Sequence, residues 1–214
     1  MRPFRLGVLV SGSGTNLQAV LDSVHGRDGI AVVCVAANRA EAKALARAQA
    51  AGVETGVYPA DEYETRAARD EALGEYLAGH EVDLIVLAGF MELLSAGFIR
   101  RFEGWMINVH PSLLPAFPGV RAIEQSIEYG VRVTGVTVHF VDEGVDTGPI
   151  LLQEAIELPY APDIERVEQT IHAVEHRLLP EAIRLIARGA LREEEREAGE
   201  RRRIVIEGGR HGEH

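Results

Sequence analysis

Short runs of apolar, often β-branched residues alternate along the chain with stretches whose apolar positions recur every three or four residues. Arg5 to Ser11 is followed by Thr15 to His25, Ile30 to Ala37 by Glu41 to Ala51, and Glu54 to Tyr58 by Asp61 to Gly79. A period of two that gives way to a helical period three times in succession predicts a single α/β domain, with a mostly parallel, twisted sheet of about seven strands flanked by helices. Val82 to Ala88 is apolar almost throughout, as a strand covered on both faces is, and is expected near the sheet centre.

Beyond residue 90 the rhythm loosens. A short helix around Ser95 to Arg101 and a strand over Trp105 to Val109 lead into a Pro-rich loop, His110 to Gly119, placed where α/β sheets bind ligands. A helix near Arg121 to Tyr129 follows. Val133 to Val141 and Ile150 to Leu158 are strands joined by the turn DEGVDTGP, which predicts an antiparallel hairpin. Asp163 to Arg188 carries the stripe of a long core-facing helix, and Pro180 is expected to kink or divide it. One domain over residues 1–188 and a tail over 189–214 result. In the tail, Arg203 to Glu207 is a candidate edge strand and the remainder a mobile end.

Composition narrows the class. With 214 residues, 46% hydrophobic, 26% charged and a net charge of −11, the chain is that of a globular protein able to fold without disulfides or a structural metal. The lone Cys34 cannot form an internal bridge and reads as core filler. No apolar run approaches the ~20 residues of a membrane span and no secretory signal opens the chain, so a cytoplasmic protein without a membrane partner is expected. The acidity excludes nucleic acid as a partner held through phosphate contacts. The basic triplet Arg201 to Arg203 sits among glutamates and leaves the tail near charge balance.

Three sets of residues are candidates for chemistry. Ser11 to Asn16 (SGSGTN) joins the first strand to the first helix, where exposed N–H groups and the helix dipole attract an anion such as phosphate. A turn merely capped by Thr15 or Asn16 would use the same residues. Asn108 and His110 stand two apart at the end of a strand, hence on one face, and offer an amide donor beside a titratable imidazole; loop-bonding polar residues would also do so. The acidic turn Asp142 to Gly148 can bring a carboxylate to that histidine. His139 is either a site residue or an interior histidine. His172, Glu175 and His176 reproduce an H-x-x-E-H zinc pattern, but no third ligand follows and no metal is expected. His25, His80, His211 and His214 read as surface residues.

The fragments SGSGTNLQA (11–19), VLAGFMELLS (86–95), INVHPSLLPAFPG (107–119), VTVHFVDEGVDTGPILLQ (136–153) and EHRLLP (175–180), in this order, resemble the phosphoribosylglycinamide formyltransferases. The resemblance implies a Rossmann-like N-terminal half and transfer of a formyl group from 10-formyltetrahydrofolate, a co-substrate, to the amine of glycinamide ribonucleotide. It further implies that Asn108 and His110 hydrogen-bond the developing oxyanion and that Asp146 holds His110 and relays the amine proton. Gly14, Thr15 and Asn16 would take the phosphate, Glu175 the ribose, and Pro111 would lie beside that substrate. The folate would rest against Met91, Glu92, Leu93, Leu94, Asn108 and Val141, with Arg66 near its pteridine or tail and His139 in support. The chain departs from the family at Glu92, where a basic residue is common, at Arg121, where His is common, and at His172, where some relatives have Gln. A 10-formyltetrahydrofolate hydrolase, a methionyl-tRNA formyltransferase and a non-catalytic nucleotide-binding module are the alternatives. The hydrolase normally carries an additional N-terminal domain, for which a first strand at Arg5 leaves no room. The tRNA enzyme usually has Arg-Gly in place of Phe117-Pro118-Gly119 and carries a basic C-terminal domain. A monomer or homodimer is expected.

Overall fold

The computed structural model describes residues 2–194 and 203–207. Strands β1 (Phe4–Val10), β2 (Ile30–Ala37), β3 (Glu54–Val57), β4 (Leu84–Leu87), β5 (Met106–His110), β6 (Val133–Phe140) and β7 (Ile150–Glu157) form one sheet in the order β3-β2-β1-β4-β5-β6-β7. The first five are mutually parallel; β6 runs antiparallel to β5, and β7 antiparallel to β6. The apolar run at 82–88 therefore supplies β4, the central strand.

Alternation along the strands divides the core into two layers. Leu6, Val8 and Val10 of β1 pack with α1 (Thr15–Ser23), α2 (Lys43–Ala50) and α6 (Ile164–Ala187). Leu9 faces the opposite side with Cys34 and Ala36, against α3 (Arg66–Gly79) and α4 (Ala96–Arg101). Cys34 is thus core filler, and burial pushes its thiol up to about 12. Helix α5 (Ala122–Tyr129) follows the Pro-rich loop. Side chains cap three of the helices: Thr65 accepts from Ala68 N, Ser95 from Phe98 N and Asp163 from Glu165 N.

Several expectations need correcting. Helix α6 runs undivided through Pro180, because Leu178, Leu179, Ala182 and Ile183 are buried on both sides of the proline and packing holds the element together. The strand expected near Arg203 is β9 (Arg203–Ile206), but it pairs antiparallel with β8 (Leu191–Glu194) in a separate two-stranded sheet rather than extending the main one. Residues 195–202 and 208–214 of the tail lie outside the described residues. His25 and His80 are half-buried rather than superficial: His25 Nδ1 accepts from Val32 N at 3.1 Å, and His80 contacts the Tyr76 carbonyl and Glu54. His211 and His214 lie outside the described residues.

The order of strands places the site. The chain runs outward from β1 through β2 to β3, then crosses back to β4 on the other side of β1, so a crevice opens beyond the C-terminal ends of β1 and β4. Residues 11–16 and 88–95 line it.

Candidate active site

Gly14 begins the site. Its φ of 72° lies in the left-handed region, and a Cβ there would stand 2.6 Å from the Ala44 Cβ, so turn and helix packing both demand glycine. Helix α1 starts at Gly14 with no side-chain cap. Neither Thr15 nor Asn16 plays the capping role, and the first-turn N–H groups stay open to a ligand. Asn16 instead donates to Glu175 Oε2 at 3.0 Å, and the same oxygen meets His172 Nδ1 at 2.9 Å. The bond to Glu175 pushes His172 above the ordinary imidazole value. Asn16 Oδ1 is buried without a partner, an acceptor left for an incoming donor. Gly14, Thr15, Asn16, Pro111 and Glu175 all line one cavity of about 480 Å³.

Strand β5 delivers Asn108 and His110 to one point. His110 is buried, and its Nε2 donates to the Phe117 carbonyl at 2.8 Å while its Nδ1 stands 3.4 Å from Asp146 Oδ2. Asn108 Nδ2 lies 3.5 Å from Asp146 Oδ1 and 3.3 Å from His139 Nε2. Gly119 N donates to Asp146 Oδ2 at 2.7 Å, tying the Pro-rich loop to the acidic turn. Burial alone would raise the Asp146 carboxyl; hydrogen bonding from His139, the Gly119 N–H and the charges of His110 and His139 together hold it below the usual carboxylate range. His139, buried on β6 opposite Asn108, joins the cluster, so it is at once an interior histidine and a neighbour of the candidate residues.

A second cavity of about 290 Å³ is lined by Asn108 together with Arg66, Phe90, Glu92, Leu93, Leu94, Ile99, His139, Val141 and residues 142–146. Met91 lines the first cavity, whereas its neighbours Phe90, Glu92, Leu93 and Leu94 line the second, because the 88–95 loop borders both. The loop is held by Met91 N donating to Ser11 Oγ at 2.8 Å and Ser95 N donating to Asp70 Oδ2 at 2.6 Å.

The second cavity is rich in carboxylates, yet most are matched. Glu92 accepts from Asn38 Nδ2 at 2.7 Å and pairs with the buried Arg69, which also binds Asp70. Glu143 pairs with Arg100 at 2.9 Å, and Asp142 accepts from Gly144 N and Thr147 Oγ1. Asp146 is surrounded by donors. Arg66, at the start of α3, makes no side-chain hydrogen bond or ion pair among the described residues, and its charge is left unmatched there. Apolar walls, hydrogen-bonding groups and one free cation suit a flat heteroaromatic ligand with an anionic tail.

Sequence reasoning did not single out the Phe117 carbonyl, the Gly119 N–H or the Arg69–Asp70–Asn38 network. The first two are backbone groups without a side-chain signature. Arg69 belongs to a helix with many exposed charges, and only its burial separates it from them.

Fold and site together define a formyl transferase: the chain belongs to that family, which matches residues 4–183. It is similar to the phosphoribosylglycinamide formyltransferase of Bacillus subtilis, with 41% identity over 84% of this chain and 93% of that one. It also superimposes on the crystal structure of glycinamide ribonucleotide transformylase 1 from Symbiobacterium toebii with a TM-score of 0.89 and 46% identity, covering 96% of this chain and 95% of that one. The trifunctional purine biosynthetic protein adenosine-3 of Bos taurus is 44% identical over 88% of this chain, which spans only 19% of that protein's length.

Proposed function

We propose that the protein transfers the formyl group of 10-formyltetrahydrofolate to the primary amine of glycinamide ribonucleotide, giving formylglycinamide ribonucleotide and tetrahydrofolate. The observation that carries this reading is the cluster of Asn108, His110 and Asp146 at the end of β5, where Asn108 and Asp146 line one cavity and the neighbouring Val109 and Pro111 line another of different chemistry. The relatives' names supply the nucleotide and the formyl group, and the resemblance to their sequences supplies the folate as its carrier. The nucleotide takes the first cavity, with its phosphate on the open N-terminus of α1 at Gly14, Thr15 and Asn16, its ribose near Glu175, and Pro111 alongside. The folate takes the second, between Phe90, Leu93, Leu94 and Val141, with its anionic tail towards Arg66 and the formyl group directed at Asn108.

The substrate amine is the nucleophile. Its nitrogen bonds to the formyl carbon, the carbonyl oxygen gains negative charge, and the carbon–N10 bond of the folate then breaks as a proton passes from the amine to N10. Asn108 Nδ2 is the donor for that oxygen, since its contacts within the protein are long. His110, braced on both ring nitrogens, supplies charge behind the oxygen when protonated. A carboxylate held below its usual range is a poor resting place for a proton, so Asp146 orients His110 and hands the amine proton on rather than keeping it.

Mixing the protein with both substrates and following folate absorbance tests the assignment. Loss of the formyl group should require the nucleotide and yield one formylated nucleotide per folate released. Loss without the amine would show a hydrolase, and no loss would show a binding module; either outcome overturns the reading.

A further inference from the structure

The nucleotide cavity holds one cation without a partner. Of its charged lining residues, Arg121 pairs with Glu124 at 3.4 Å, and Glu175 is engaged by Asn16 and His172. Arg47, which packs behind the turn, donates through Nε to the Ser13 carbonyl at 2.9 Å and through NH1 to Gln18 at 3.0 Å. Arg39 also lines this cavity, and its guanidinium makes no hydrogen bond or ion pair among the described residues.

Topology explains where Arg39 stands. Strands β1 and β2 are parallel neighbours, with Leu9 opposite Ala36 and Val10 opposite Ala37. Both strands end there, so Arg39, two residues past β2, and Gly12, two residues past β1, leave the sheet at the same C-terminal edge. The segment after Arg39 then wraps the same turn, with Ala44 N donating to Gly12 O at 3.1 Å. An unmatched guanidinium thus flanks a helix N-terminus that no side chain caps, in a cavity where Asn16 Oδ1 also lacks a partner.

We propose that Arg39 is a phosphate-recognition residue, closing over the substrate phosphate from the side opposite the α1 backbone. This rests on the functional reading above only for the identity of the phosphate's carrier. The backbone N–H groups supply a neutral cradle. Arg39 adds the fixed charge and forked donor geometry that distinguish a phosphate dianion from a neutral hydroxymethyl group. It also accounts for anion binding by a protein of net charge −11.

The test compares wild type with Arg39→Gln and Arg39→Lys, using glycinamide ribonucleotide, its unphosphorylated nucleoside and inorganic phosphate as probes. Arg39 is exposed and outside the core, so the variants keep the fold. Arg39→Gln should raise KM for the nucleotide about tenfold with little change in kcat, while Arg39→Lys recovers part of the loss. KM for the nucleoside should be the same in wild type and Arg39→Gln. Calorimetric titration with inorganic phosphate should show a comparable weakening in Arg39→Gln. An unchanged nucleotide KM, or an equal rise for nucleotide and nucleoside, overturns the proposal. If the wild type transfers no formyl group at all, the functional reading falls, and the phosphate titration still decides the role of Arg39: weakened binding supports it and unchanged affinity overturns it.

Discussion

Phe117 and Asp146 both hold left-handed backbone conformations, with φ of 51° and 55°, although neither is glycine. Such conformations cost about 1–3 kcal/mol each and persist only where the surroundings impose them. Both residues touch the same imidazole: the Phe117 carbonyl meets His110 Nε2 and the Asp146 carboxylate faces Nδ1. Two of the five non-glycine residues of positive φ among the described residues thus hold the ring of His110. Asp146 carries a second consequence, in stability. Its carboxyl is held below the unfolded value, so the stability it contributes is present above about pH 3.9 and is lost as pH falls towards the folded value. Asp146→Asn lacks that contribution. Urea midpoints of wild type and variant should differ at pH 6 and converge below pH 4; a gap that stays constant with pH would contradict the account. Formyl transfer by the variant should fall sharply over the whole range.

Among the elements, the turn before α1 and the network beneath the 88–95 loop set the two cavities. Gly14→Ala would force a left-handed alanine and drive its Cβ against Ala44, costing about 1–3 kcal/mol. Kinetics should show a larger rise in KM for the nucleotide than for the folate. The Arg69 guanidinium is buried between Asp70 and Glu92. Arg69→Met leaves two carboxylates uncompensated and should destabilise the fold by about 3–5 kcal/mol, measured by denaturant unfolding. Wild-type stability in that variant would mean the network does not hold the loop. These two elements differ in how legible they were. The Gly-rich turn announces itself through glycines that only a strand-to-helix turn requires, and Asn108 and His110 through a spacing of two on one strand. Arg69, by contrast, lies among exposed residues of α3, and its pairing with Glu92 joins positions 23 apart that meet only once the sheet has folded. The same physics explains Pro180: a local rule predicts a break in α6, and burial on both sides overrides it.

At the scale of the molecule, the protein is acidic overall and yet offers sites for two anionic ligands. Its carboxylates near the cavities are matched locally, and among the described residues each cavity retains one unmatched guanidinium, Arg39 in the first and Arg66 in the second. A net charge of −11 is therefore compatible with binding a nucleotide. Asn108, on β5, lines the second cavity, while Val109 and Pro111 line the first, and in the proposed reaction Asn108 stands where the two substrates meet. The central claim is that this meeting point performs the chemistry while the cavities perform the binding. The most direct test is the rate of formyl transfer by Asn108→Ala at saturating concentrations of both substrates, with the affinity for glycinamide ribonucleotide measured alongside. The account predicts a loss of about 10²- to 10³-fold in kcat with nucleotide affinity retained. A variant that turns over at the wild-type rate would contradict it.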